Sequence, residues 1–290
     1  MILILLCFTV MPARAEDRPL TAFVSIQPQR YFVEKIGGAR VVVHVMVRPG
    51  ASPHTYEPRP EQMKALSRAD IYFAVGVSFE RAWLGKIAAA NTGMQVVRTD
   101  DGIIKMDMVD HHHDGEAVTE GAAGHDDQGY PDPHIWLAPL LAGQMARIIT
   151  DSLIRIDQDH AEDYQANLAS LQAEIQRLDA DLRSTLEGSQ GAPFMVFHPS
   201  WGYFARAYGL RQVPIEVEGK EPKPADLAEL IRRARAESIR VIFVQPQFSQ
   251  RSARLIAREI KGQVIEVDPL AQDWNSNLRT VALKFREAVP

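Results

Sequence analysis

Three histidines and one aspartate stand where a metal ion could be bound. His54 lies in the segment PGASPHTYEP, His134 lies in PDPHIWL, and His198 ends the apolar run FMVFH. Asp268 ends another apolar run, VIEVD. Imidazole nitrogens with one carboxylate suit zinc, which favours four-coordinate tetrahedral sites. These four residues are therefore the predicted metal ligands.

Prolines flank all three histidines and restrict the backbone around them. Pro53 precedes His54, Pro133 precedes His134, and Pro199 follows His198. A proline fixes its own φ and limits the residue before it. A ligand on a stiff loop loses less conformational entropy when it binds. The prolines therefore favour pre-formed positions for the three imidazole rings.

Both halves of the chain repeat the order of short apolar strand, turn and amphipathic helix, which predicts an α/β fold. The strand segments are rich in β-branched and aromatic residues. They are 21–26, 41–48, 71–76 and 95–99 in the first half, and 194–198, 212–217, 241–245 and 264–268 in the second. The helices are predicted at 28–36, 60–67, 79–91, 201–208, 225–237, 249–260 and 275–289. Strands that alternate with helices predict two parallel sheets, each flanked by helices, and such sheets bind ligands beyond the carboxyl ends of their strands.

A long helix is predicted between the halves. Leucine and isoleucine recur every three or four residues from Leu168 to Leu186, which is one apolar stripe on a helix. The predicted organisation is an N-terminal lobe over 16–158, a rigid linking helix over 159–187 and a C-terminal lobe over 188–290.

The first fifteen residues differ in character from the rest. An almost wholly apolar stretch is followed by Ala13-Arg14-Ala15, a pattern typical of a secretory signal peptide over 1–15. The single cysteine, Cys7, lies inside it. A mature chain without it has no thiol for a disulfide or for metal binding. We expect a free periplasmic protein.

The segment 107–129 is rich in histidine, aspartate and glycine, and it includes the run His111–His113. It has too little apolar surface to fold, so we expect a mobile loop. A weak, exchangeable extra zinc site is one interpretation of this segment, and a solvated loop with incidental histidines is the other.

Composition and motifs exclude several classes of protein. A net charge of −5 and 24% charged residues do not fit a nucleic-acid-binding protein. Beyond the first residues, no apolar run is long enough to span a membrane. The chain lacks H-E-x-x-H, G-x-S-x-G and a glycine-rich phosphate loop, which argues against an enzyme.

In sequence the chain resembles the zinc- and manganese-specific binding proteins of bacterial ABC uptake transporters. The resemblance covers nearly the whole mature chain through the order and spacing of seven segments. These are PGASPHTYEP, the acidic His-rich loop, DPHIWL, FHPSWGYFA, EGKEPKP, VQPQFS and VDPLA.

This resemblance implies a monomer that carries zinc between two lobes to an inner-membrane permease, with metallochaperones as possible further partners. It maps the ligands onto His54, His134, His198 and Asp268. Manganese-type members tend to have a carboxylate where His198 stands, so zinc is favoured. For the fourth ligand, water or another carboxylate such as Glu57 is an alternative to Asp268. Gln245 departs from the glutamate expected there, with an effect on hydrogen bonding and not on ligation.

Three rival functions remain open at this point. A manganese- or iron-binding protein of the same transporter class is the nearest alternative. A zinc-dependent hydrolase and a surface adhesin built on the same fold are the others.

Overall fold

Two sheets of four parallel strands form the frame of the protein. The computed structural model describes residues 18–108, 131–216 and 220–288. The first sheet has the strand order β2-β1-β3-β4 and the second has β6-β5-β7-β8. The strands are β1 Leu20–Val24, β2 Val41–Val45, β3 Ile71–Ala74, β4 Gln95–Arg98, β5 Pro193–Val196, β6 Arg211–Pro214, β7 Val241–Val244 and β8 Gln263–Glu266.

All eight predicted strands are present, and each is shorter than predicted by one to three residues. The inner strands β3 and β7 are buried along their whole length, as expected for strands covered by helices on both faces. Residues that were predicted at the strand ends lie in the loops that follow the strands. These loops contain the predicted metal ligands.

Nine α-helices connect or flank the strands within the described residues. They are α1 Gln27–Gly37, α2 Pro60–Leu66, α3 Ser78–Ala90, α4 Pro139–Ile156, α5 Ala161–Thr185, α6 Gly202–Tyr208, α7 Pro224–Ala236, α8 Arg251–Glu259 and α9 Trp274–Ala288. The seven helices predicted between strands are all present. The two remaining helices are the linking helix α5 and α4, which follows His134.

The linking helix α5 spans 25 residues, slightly fewer than the predicted range 159–187. It begins at Ala161 because a short 3-10 turn, Gln158–His160, occupies the preceding positions. Its buried stripe includes Leu171, Ile175 and Leu178. The helix packs against α1, α4 and α9, so it is an integral part of the core as well as a connection between lobes.

One apolar core runs through both lobes, and a smaller cluster lies within the second lobe. Two fully buried tryptophans tie the lobes together. The indole N–H of Trp136 donates to the carbonyl of Pro269 at 2.8 Å, and the indole N–H of Trp274 donates to the carbonyl of Trp136 at 2.7 Å. The segment that carries His134 is therefore fixed directly to the second lobe.

Two of the predicted segments fall outside the described residues. These are the signal peptide over 1–15 and almost all of the His-rich loop over 107–129. Within the part of the chain that is described, no helix has both the length and the apolar character needed to cross a membrane.

Candidate metal centre

The three predicted histidines come from separate loops at the sheet edges. His54 lies in the loop between β2 and α2, and His134 lies between β4 and α4. His198 follows β5 by two residues. Parallel strands deliver their carboxyl ends to one edge of a sheet, and ligands bind there. The fold thus brings together side chains that are separated by 80 and 64 residues in sequence.

The rings of His54, His134 and His198 form one cluster. One ligand atom from each lies within 4.8 Å of the other two, and no other such group of His, Cys, Asp or Glu occurs among the described residues. The Nε2 atoms of His54 and His198 are 3.0 Å apart. Two nitrogens bound to one tetrahedral zinc are about 3.3 Å apart, given Zn–N bonds of about 2.0–2.1 Å. Small ring movements therefore suffice to place all three nitrogens around one ion.

Each ring is held through its other nitrogen, Nδ1. Asp132 Oδ1 lies 2.6 Å from Nδ1 of His134, and Glu216 Oε1 lies 2.7 Å from Nδ1 of His198. These carboxylates accept, so both Nδ1 atoms donate and both Nε2 atoms keep a free lone pair. Metal-binding histidines commonly have such a partner, which fixes the tautomer and the orientation of the ring.

His54 has a hydroxyl partner in place of a carboxylate. Ser78 Oγ at the first position of α3 lies 3.0 Å from its Nδ1. A hydroxyl can donate or accept, so Ser78 can serve either tautomer of His54. Without metal, His54 can donate from Nε2 to His198. With metal bound, the same ring can donate from Nδ1 to Ser78 and turn its Nε2 lone pair to the ion.

The electrostatics of the cluster keep two of the rings neutral. Burial, followed by the electrostatic influence of His198, His134 and Arg81, lowers the pKa of His54 to about 3. Burial also lowers the pKa of His134, although Asp132 acts in the opposite direction. A neutral imidazole is the form that ligates metal. Neutral rings do not repel a cation, so the site can bind a metal ion.

Two cavities meet at the histidines. A small one of about 20 Å³ is lined by residues that include His54, His134, His198 and Gln247. This volume holds about one ion or water molecule. A wider cavity of about 1080 Å³ is lined by His54 and His198 and is open to the outside, so an ion has an entry path.

Asp268 does not belong to this cluster in the structure. Its Oδ1 accepts hydrogen bonds from Gln247 Nε2 at 2.8 Å and from the backbone N–H of Leu270 at 2.9 Å. It lines a different cavity, which it shares with Gln247. Asp268 as a direct ligand stays a prediction. Glu57, the alternative carboxylate, is exposed and does not line either histidine cavity.

Sequence reasoning missed the residues that support the histidines. Asp132 stands two residues before His134, so the PDPH segment contained a usable signal for it. Ser78, Glu216 and Gln247 lie 24, 18 and 49 residues from the histidines whose rings or cavity they border. No local spacing connects such pairs, because neighbouring strands bring them together.

Comparison with known proteins identifies the family of this chain. Residues 23–288 match the model of the family described as zinc-uptake complex component A, periplasmic. The chain belongs to this family. A solved structure described as ZnuA is 42% identical, covers 93% of this chain and 99% of its own, and superimposes with a TM-score of 0.85.

Two further members of the zinc-uptake family are similar over most of their length. A zinc-bound ZnuA mutant lacking residues 138–173 of its own sequence is 42% identical over 93% of this chain and 98% of that one, with a TM-score of 0.84. The high-affinity zinc uptake system protein ZnuA of Bacillus subtilis is 29% identical over 86% of this chain and 77% of its own. The predicted family, its two-lobe fold and its place among substrate-binding proteins of transporters, not enzymes, are confirmed.

Proposed function

We propose that this chain captures one Zn²⁺ between its lobes and delivers it to the permease of an ABC uptake transporter. The observation that carries the proposal is the set of three imidazole rings, with one ring nitrogen of each within 4.8 Å of the others, beside a cavity of about one ion. His54, His134 and His198 are the proposed zinc ligands. Family membership supports the transport role, since the family is named for zinc uptake.

Zinc is favoured over manganese or iron by the chemistry of the ligand atoms. Manganese prefers carboxylate, carbonyl and water oxygens, whereas imidazole nitrogen suits zinc. The two buried carboxylates near the rings, Asp132 and Glu216, are hydrogen-bonded to Nδ1 atoms. They support the imidazoles and leave nitrogen as the main donor type. A manganese- or iron-binding protein of the same class remains the rival.

A periplasmic location belongs to the same proposal, and the family description supports it. Cleavage after Ala15 of the signal peptide is the proposed route of export, with the mature protein acting as a monomer. Metallochaperones are possible further partners of this mature form.

Calorimetric titration of the metal-free protein with Zn²⁺ and with Mn²⁺ tests the function. We expect one tight zinc site in the mature chain and weaker binding of manganese. His198→Ala should abolish the tight site, while His44→Ala, a change on the exposed edge strand β2, should leave it intact. Tighter binding of manganese would overturn the metal assignment, and no binding stronger than micromolar to either metal would overturn the function.

A further inference from the structure

In the described part of the chain, no carboxylate belongs to the cluster that the three histidines form, so the fourth coordination position of the proposed zinc site is left to another donor. A tetrahedral zinc needs one donor beyond the three imidazoles. Asp268 lies outside the histidine cluster, and Gln247 lies between Asp268 and that cluster. Gln247 lines the small histidine cavity, the wider cleft and the separate cavity that contains Asp268.

We infer that Gln247 is a positioning residue for this fourth position and holds a zinc-bound water through its amide oxygen. This inference rests on the proposed zinc-binding function and extends it to a residue that is not itself ionisable. Asp268 then acts on the metal through Gln247.

The orientation of the Gln247 amide follows from its partner. Asp268 Oδ1 already accepts from the backbone N–H of Leu270, and an ionised carboxylate can only accept. The group that faces it at 2.8 Å must therefore be the Nε2 donor of Gln247. The bond from Leu270 holds the carboxylate, the bond from Gln247 Nε2 orients the amide, and Oε1 is turned away from Asp268.

The amide oxygen is buried and has no hydrogen-bond partner among the described residues. A buried acceptor without a partner is costly, by about 1–3 kcal/mol, so such groups usually face a water, an ion or a functional site. The small cavity that Gln247 shares with the three histidines is where a donor would satisfy it.

A bridging water fits this oxygen better than direct ligation does. Zinc in proteins is bound by thiolate, imidazole and carboxylate, whereas neutral amide oxygens are ligands of harder cations such as Ca²⁺. A zinc-bound water is polarised by the ion and is a strong hydrogen-bond donor. The Gln247 oxygen would accept from it, as residues that support metal ligands commonly do.

Zinc affinity and cobalt spectroscopy of four variants of the mature full chain test this inference. Gln247→Leu and Gln247→Met remove the amide, and Asp268→Asn keeps an oxygen that can accept from Nε2. Gln272→Leu is the matched control, because Gln272 lines the Asp268 cavity but neither histidine cavity. Affinity is measured by competition with a chelator, folding by thermal melting, and the fourth position by the visible bands of the Co²⁺-loaded protein with added azide.

We expect both Gln247 variants to bind zinc about 10- to 100-fold more weakly, the usual loss for a residue that supports a metal ligand. Asp268→Asn should lose less zinc affinity than either Gln247 variant, because its amide oxygen can still accept from Gln247 Nε2, and Gln272→Leu should not change the affinity. Azide should shift the Co²⁺ bands of the unsubstituted chain, because it replaces a water. It should bind several-fold more tightly to the Gln247 variants, which no longer hold that water.

Two results would overturn the inference and leave the function in place. One is unchanged zinc affinity in both folded Gln247 variants. The other is a loss in Asp268→Asn that exceeds the loss in Gln247→Leu, with no response to azide, which would make Asp268 the direct ligand. Absence of tight zinc binding in the unsubstituted chain would instead overturn the proposed function itself.

Discussion

The side chains around the three histidines show how single residues could support the proposed zinc site. Each Nδ1 has one polar partner, and two of those partners are almost completely buried carboxylates. A buried carboxylate that accepts from an imidazole raises the basicity of the ligand and locks the ring. Affinity should therefore depend on residues that never touch the ion.

Replacing these carboxylates should weaken zinc binding without removing a ligand. We expect Asp132→Asn and Glu216→Gln each to lower zinc affinity by about tenfold or more, since the amide carries no charge and can present the wrong group to Nδ1. Competition with a chromogenic chelator measures the change. Glu61→Gln, on an exposed carboxylate of α2, is the control. Affinities equal to that control would show that the carboxylates serve folding only.

Gln245 supports the backbone of His198 through hydrogen bonds. Its Oε1 accepts from the N–H of His198 at 3.2 Å, and its Nε2 donates to the carbonyl of His198 at 2.6 Å and to Ser200 Oγ at 3.0 Å. The sequence analysis predicted that a glutamine at position 245 affects hydrogen bonding and not metal ligation, and these contacts agree with that prediction. An ionised glutamate could not make the two donor contacts, so the amide suits this site.

At the scale of elements, the ends of α7 and α8 carry a small cost in free energy. Both helices are followed by a residue in the left-handed region, Ser238 with φ 57° and Lys261 with φ 55°. The next N–H closes each turn, from Ile239 to the carbonyl of Ala234 and from Gly262 to that of Ala257. This is the helix end at which glycine is usual.

Glycine at these two positions should stabilise the protein. We expect Ser238→Gly and Lys261→Gly each to raise the free energy of unfolding by about 0.5–1 kcal/mol, because glycine adopts a positive φ without steric cost. Urea unfolding of the metal-free protein measures this. Gly209→Ala, at the corresponding position after α6 with φ 71°, should destabilise. Losses of stability in both glycine variants would contradict this account.

The turn after β4 depends on one buried carboxylate. Burial acts to raise the pKa of Asp100, but hydrogen bonds from Lys105 and Arg98 outweigh it and lower that pKa below its usual value. The Lys105 Nζ and Arg98 Nη2 atoms lie 2.5 and 2.9 Å from its Oδ2. A lowered pKa stabilises the fold above the unfolded-state pKa of about 4, and this stability is lost as pH falls through the folded-state pKa.

Asp100→Asn should therefore destabilise the protein in a pH-dependent way. At pH 7 we expect a loss of about 1–2 kcal/mol in the free energy of unfolding, since Arg98 is largely exposed and its ion pair is screened. The difference between the two proteins should shrink below about pH 4. Urea unfolding at pH 7, 5 and 3.5 checks it, and a difference that grows at acid pH would contradict the sign.

The two lobes are held together by packing and hydrogen bonds as well as by the chain that connects them. Helix α5 packs on helices of both lobes, and Glu174 on α5 accepts hydrogen bonds from Tyr31 of α1 and Asn275 of α9. Trp136 and Trp274 add two buried hydrogen bonds across the lobes. The relative positions of His134 and His198 are therefore determined by the common core.

Because the common core sets the histidine geometry, removal of the His-rich segment should leave the tight site intact. We expect a variant lacking 110–129 to bind one zinc ion with an affinity within a few-fold of the full chain, since His54, His134 and His198 all lie outside the deleted segment. Calorimetric titration reports both stoichiometry and affinity. A loss of the tight site would show that the deleted residues supply a ligand, and a loss of additional weak sites alone would fit an exchangeable trap.

Local patterns in the sequence located the strands, the linking helix and the three histidines that are the proposed ligands. Apolar periodicity located all eight strands and the linking helix, because these patterns depend on near neighbours. The three histidines stood out since prolines and strand ends surround them in sequence. Segment order and spacing also indicated the correct family.

The contacts between side chains that are distant in sequence depend on how the strands and lobes pack. Ser78, Glu216 and Gln247 reach the histidines through sheet neighbours and lobe packing, which no local pattern encodes. Asp268 shows the converse, because its strand-end position was correct while its carboxylate turns to Gln247 and Leu270. A strand pattern predicts that a residue lies at a sheet edge. The packing of both lobes determines how far its side chain lies from the other candidate ligands, and coordination depends on that distance.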